Sequence, residues 1–141
     1  MGVLFSSDSE AAAAWGEENR PYSEVKERMA FIYALPVSGG SGFYLGRTRV
    51  GMGLWGPIRP NVAVPLVYLY LLETLAEWLL RRAVPVAVVH SHPRPPRGHT
   101  YGHHSREDLQ LLRLPGIHAV FVVPYENREV LRRGREDRRP L

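Results

Sequence analysis

The chain has no cysteine. That absence excludes disulfides, zinc ribbons and a thiol nucleophile, so any metal centre has to be built from histidine and carboxylate side chains. It leaves the redox compartment open. No internal repeat and no interdomain linker interrupts the 141 residues, a length at which one domain buries about two-thirds of its unfolded surface. The start of the sequence lacks the basic stretch and long apolar run of a secretory signal, and none is expected. Met1-Gly2 with Ser6 fits the loose myristoylation pattern, which arises often by chance. The most apolar stretch, 62–80, is broken by Pro65, Glu73 and Glu77. Two carboxylates in lipid are too costly for a membrane span, so this stretch is expected to be a buried helix and no transmembrane segment is expected.

What is present is a globular composition, with 45% hydrophobic and 23% charged residues. The net charge of +4 is unevenly placed: from Arg128 onward the sequence reads REVLRRGREDRRPL. Such an end can hold nucleic acid, an acidic protein or an anionic membrane. No aromatic residues interleave with the arginines as they do in an RNA-binding module, and the plain expectation is a solvated terminus. We therefore divide the chain into a domain over 1–132 and a basic tail over 133–141.

Ser7, Asp8 and Ser9 precede Glu10 and four alanines, an N-cap followed by a helix expected to reach about Glu18. Residues 29–35 read as a buried strand. The turn chemistry of 38–42 leads to a returning strand over 43–50, and 51–60 is expected to be irregular. A main helix is expected over 61–82, with Pro65 in its first turn and Arg81-Arg82 at its negative end. Residues 83–91 are β-branched and apolar, as in a central strand. A Pro/Gly/His loop follows over 93–104, Ser105 opens a short helix, and Pro115-Gly116 closes it. Strands are expected over 117–124 and 129–132. This order indicates an α+β domain with a mixed sheet. Trp15, Trp55 and Trp78 are expected to pack the core or its rim.

The richest segment is VAVVHSHPRPPRGHTYGHHSREDLQLL, residues 86–112. His90 and His92 are two apart at a strand end, so both imidazoles fall on one face, roughly 6–7 Å apart at Cα. Ser105 and Asp108 are three apart at a helix start and share a helix face. Two neutral imidazoles and a carboxylate, with a fourth position left to water, match a catalytic Zn²⁺ site. Each piece also has a plain reading. H-x-H recurs by chance, and Ser105-x-x-Asp108 is an ordinary helix cap. The ordered run of apolar strand, H-S-H-P, loop and S-x-x-D is what favours a site.

H-S-H-P followed by S-x-x-D-L resembles the JAMM signature of the JAB/MPN metallohydrolases. The resemblance implies a single JAB/MPN-like domain with a mixed sheet flanked by helices in cytidine-deaminase-like layering. It implies His90, His92 and Asp108 as zinc ligands, Ser105 as the group that stabilises an oxyanion, and an upstream Glu as general base. Glu18, Glu24 and Glu27 are all candidates; Glu27, at the entrance to the first strand, fits the family's position. The 12 residues between His92 and Ser105 exceed the usual deubiquitinase spacing. A longer loop is similar to that of the JAB-like domains at the C-termini of Rhs-type and insecticidal-complex bacterial toxins. Those also share a Ser/Ala-rich first helix and a Glu-x-x-small-hydrophobic-Ile-Tyr strand, here Glu27 to Tyr33 with Ala30 at the small position.

The resemblance implies a zinc-dependent hydrolase of isopeptide or peptide bonds, a toxin or effector domain. Its substrate would be a protein or peptide, such as a ubiquitin-like conjugate, and an immunity protein its partner. The alternatives are an inactive MPN-like scaffold that binds protein, or a metal-dependent nuclease held to nucleic acid by the Arg-rich tail. His99, His103 and His104 are expected to be solvated loop residues, and His118 an ordinary strand residue.

Overall fold

The computed structural model describes residues 4–22, 27–37, 40–51, 55–59, 62–92, 110–124 and 129–137. The fold is a mixed α+β arrangement. Its main sheet runs in the order β2 (Gly40–Leu45), β1 (Glu27–Val37), β6 (Val84–Ser91), β7 (Ala119–Val123), β8 (Leu131–Gly134), with β3 (Arg49–Gly51) also paired to β1. Among the described residues only β6 and β7 are parallel; β1 is antiparallel to β2, β3 and β6, and β8 is antiparallel to β7. The chain from β6 to β7 is long enough for the crossover that a parallel pair requires. A separate two-stranded antiparallel sheet joins β4 (Trp55–Arg59) and β5 (Val62–Pro65).

Helix α1 (Asp8–Asn19) starts where the sequence places it, because the Ser7 hydroxyl accepts the Glu10 N–H at 3.0 Å and Asp8 and Glu10 suit the positive helix end. Its alanines let it approach the sheet closely. Ala11, Ala12 and Trp15 are buried against Ala30, Ile32, Ala87, Val89 and Phe121. A Cβ on Gly16 would lie 3.2 Å from Val123 Cγ2, so this contact depends on small residues. Trp15 also donates its indole N–H to Thr48 at 3.0 Å.

The opposite sheet face carries a second cluster, in which Phe31, Tyr33, Val88 and Val120 pack with Leu69 and Tyr70 of α2 (Leu66–Arg81). Phe31 meets Tyr70 edge-on at 5.0 Å, and Tyr33 stacks on Tyr44 at 5.4 Å. Each such burial stabilises by about 1.5–3 kcal/mol. The carboxylates of α2 face this cluster. Glu73 accepts the Tyr33 phenol and pairs with Arg49 at 3.2 Å; Glu77 accepts Tyr44 at 2.6 Å and pairs with Arg81 at 2.6 Å. Burial raises the Glu73 carboxyl above its usual range, against the lowering pull of Tyr33 and Arg49. Burial, then the neighbouring Glu73, holds the Tyr33 phenol far above its usual range, and burial and Glu77 do the same for Tyr44.

Five expectations are corrected. The helix expected over 61–82 begins only at Leu66, because Val62–Pro65 pairs as β5 with β4, itself inside the stretch expected to be irregular, and Pro65 stands at the helix N-cap. That helix is not buried: its inner face is partly spent on Glu73 and Glu77, and much of its leucine surface faces outward. Trp78, expected at the core or its rim, is 46% exposed. The strand expected over 43–50 is two strands, broken at Gly46, where a Cβ would stand 2.7 Å from the Tyr33 ring. The last strand runs to Gly134, so Arg133 and Gly134, assigned to the tail from sequence, pair with Val120 and Ala119. Among the described residues no helix is long and apolar enough to cross a membrane.

Candidate metal centre

Strand β6 carries the first two candidate ligands because its apolar run ends in His90-Ser91-His92. His90 is paired with Met29 of β1 on one side and Val122 of β7 on the other. The His92 N–H donates to the Val123 carbonyl at 3.1 Å, which carries the parallel ladder one residue past Ser91. Side chains alternate along a strand, so His90 and His92 share one face. Met29 packs with Phe31 and Tyr33, so that face is the one covered by α2. The two ring centroids are 5.1 Å apart with planes tilted by 56°, and each residue is only 5% exposed.

This spacing fits a shared metal ion. Imidazole nitrogens sit about 2.0–2.1 Å from a tetrahedral Zn²⁺, which places the two ring centres about 5 Å apart. The pair also lies at the carboxyl ends of the two parallel strands, the end at which α/β sheets commonly hold ligands.

Ser91, between them, is a positioning residue that the sequence reading passed over. Its hydroxyl accepts the Arg28 N–H at 3.1 Å and lies 3.5 Å from the Arg28 carbonyl. It is 1% exposed, so this contact fastens β1 to β6 between the two histidines. The available signal was its place in H-S-H, pointing away from the imidazoles toward the neighbouring strand.

Glu27 opens β1 and pairs with Gly51 of β3. The Met29–His90 register, continued by the Arg28–Ser91 contact, brings Glu27 level with His92. It shares the strand face of Met29 and is partly buried. Gly51 brings no side chain to its other flank. Glu18 is exposed on α1, which packs on the opposite sheet face, so it is not brought to the histidine pair. Glu24, Ser105, Asp108, His99, His103 and His104 lie outside the described residues. His118 sits at the other end of the sheet, just before β7, with Nε2 3.1 Å from Asp8 Oδ2. That contact ties the first turn of α1 to the sheet and is structural.

Two of the three expected ligands are therefore together, and the strand register brings Glu27 level with His92. Among the described residues no group of three or more His, Cys, Asp or Glu side chains stands ready to hold a metal. Comparison with protein families, with curated proteins and with solved structures returned no match.

Proposed function

We propose that this chain is a zinc-dependent hydrolase of amide bonds, with a JAB/MPN-type arrangement of its α+β fold. The observation that carries the reading is the buried His90–His92 pair, whose 5.1 Å ring separation suits one tetrahedral ion. His90, His92 and Asp108 would hold Zn²⁺, leaving one position open. Leu111, three residues along the chain from Asp108, packs in the cluster that holds Met29 and Val88, on the histidine face of the sheet. Bound there, zinc supplies Lewis acidity, polarising a carbonyl and acidifying water to a pKa of about 7.

The protein's own groups account for the remaining chemistry. Glu27, level with His92, takes the proton from the attacking water and returns it to the leaving amine. Ser105 donates a hydrogen bond to the carbonyl oxygen as it gains negative charge. The buried strand ends that carry His90 and His92 limit water around the pair, which strengthens each of these interactions. A protein or peptide is the substrate class, with a ubiquitin-like conjugate as its first representative. A toxin or effector role, with an immunity protein as partner, is what the resemblance to the JAB-like toxin domains implies, through the 12 residues between His92 and Ser105.

The test is zinc-loaded protein assayed on ubiquitin-like conjugates and peptide libraries, beside His92→Ala. Cleavage that disappears with His92→Ala supports the reading. Stoichiometric zinc without cleavage would favour the protein-binding scaffold, and cleavage of nucleic acid alone would favour the nuclease.

A further inference from the structure

Helix α2 is amphipathic in the reverse sense. Its carboxylates Glu73 and Glu77 turn inward to tyrosine and arginine partners. Its outer face carries Tyr68, Leu71, Leu72, Leu75, Trp78 and Leu79, each between 46% and 67% exposed. These positions recur at three- and four-residue steps, the stripe by which one helix packs along another. None of the six is charged. A face of this composition on solvent-facing helix is unfavourable unless something covers it.

We propose that a second copy of this chain covers it, with the two α2 helices packed antiparallel across a two-fold axis. The area is sufficient. Half-exposed aromatic and leucine side chains, at 150–250 Å² for a whole aromatic, give a face on the order of 600 Å². Two such faces bury on the order of 1,200 Å², the lower bound for a specific, stable interface, and one face stands at the upper end of the roughly 300–600 Å² that the largest apolar patch of a typical monomer reaches. A two-fold interface uses the same patch twice and needs no charge complementarity, and this patch offers none. The 16 residues of α2 span about 24 Å, which is two heptads of contact.

Orientation follows from the ends. Arg81 and Arg82 stand together at the C-terminus, and the Arg82 guanidinium lies 5.3 Å over the Trp78 ring. A parallel pair would bring four guanidinium groups together. An antiparallel pair separates them and sets opposite helix dipole ends side by side. A lipid surface is the weaker occupant: membrane-surface helices carry Lys and Arg along the polar face, while the polar face of α2 carries Glu73 and Glu77, already engaged.

The test is the solution mass of the full chain by light scattering or sedimentation at micromolar concentration, with Leu72→Glu and Leu75→Glu as variants. Both positions are more than half exposed, so the charges fall on solvent-facing surface in a monomer. The expected result is twice 16.0 kDa for the wild type and 16.0 kDa for either variant, with unchanged circular dichroism. A wild-type monomer overturns the proposal. So does a dimer that survives both substitutions, which would place the interface elsewhere. Monomeric wild type that co-sediments with anionic phospholipid vesicles, and loses this in Leu72→Glu, would assign the face to lipid instead.

Discussion

Met29 and His90 are direct neighbours across the β1–β6 ladder, and that pairing decides where Glu27 goes. Two residues earlier on β1 is two residues later on β6, so Glu27 reaches the level of His92. A shift of one residue would turn Glu27 to the α1 face, away from the histidines. The Ser91 hydroxyl on the Arg28 N–H at 3.1 Å holds this register.

Purified protein is expected to hold about one Zn²⁺ per chain, in line with a three-ligand catalytic site. His90→Ala, His92→Ala and Asp108→Ala should each remove it, read by elemental analysis after dialysis. Full occupancy in the two histidine variants would put the metal elsewhere.

Glu27→Gln keeps the size and shape of the side chain and removes only its basicity. Zinc content and melting temperature should stay, while turnover falls by about 10²–10⁴-fold, the usual worth of a positioned acid–base group. If Glu24→Gln abolishes turnover and Glu27→Gln does not, the base lies in the segment before β1.

The sequence revealed the strand that carries the histidines and the alternation that puts them on one face, because a period-2 pattern in an apolar run is a local signal. The extra hairpin β4–β5 was hidden, since glycines and prolines over 51–60 read as irregular when their partner strand is unknown. The outward leucines of α2 were hidden for a similar reason. Glu73 and Glu77 argue against lipid and leave a buried helix as the reading, and only the fold reveals that Tyr33, Arg49 and Tyr44 engage them on the inside.

Those buried tyrosines set an alkaline limit. Burial holds the phenols of Tyr33, Tyr44 and Tyr70 above their ordinary value, which is about 10 in an unfolded chain. With the folded value raised, the folded state keeps protons that the unfolded state releases. The contribution is complete below about pH 10 and is lost as the pH climbs beyond it. Melting temperature should fall steeply above that point, and Tyr33→Phe should flatten the fall. An identical slope in Tyr33→Phe would show that other groups carry the alkaline transition.

Gly46 is expected to resist any side chain. A Cβ there would stand 2.7 Å from Tyr33 Cε2, 2.9 Å from Glu73 Oε2 and 3.2 Å from the Phe31 carbonyl. The ring is stacked on Tyr44 and the carboxylate is hydrogen-bonded, so neither retreats freely. Gly46→Ala should cost about 1–3 kcal/mol, the range for overpacking a core, measured as a lowered urea midpoint. An unchanged midpoint would mean that Tyr33 and its network shift without penalty.

The position of β8 gives two truncations opposite outcomes. Removing the chain from Arg133 takes away the pairing of Arg133 with Val120 and Gly134 with Ala119. It also takes away the Arg135 guanidinium, which donates to the Leu112 and Leu114 carbonyls at 2.9 Å each, and the Arg135 N–H to the His118 carbonyl at 2.9 Å. Each lost hydrogen bond is worth about 0.5–1.5 kcal/mol, and half of β7, the apolar strand Ala119–Val123, becomes an open sheet edge prone to pairing with other chains. This variant should melt earlier by several degrees and aggregate on heating. Ending the chain at Asp137 keeps all of these contacts, including the Asp137 carboxylate that accepts the Gly134 N–H at 2.8 Å, and removes only Arg138, Arg139, Pro140 and Leu141. Its melting temperature and zinc content should match the wild type. Equal melting of both truncations and the full chain would mean that the last two residues of β8 and Arg135 contribute nothing to the fold.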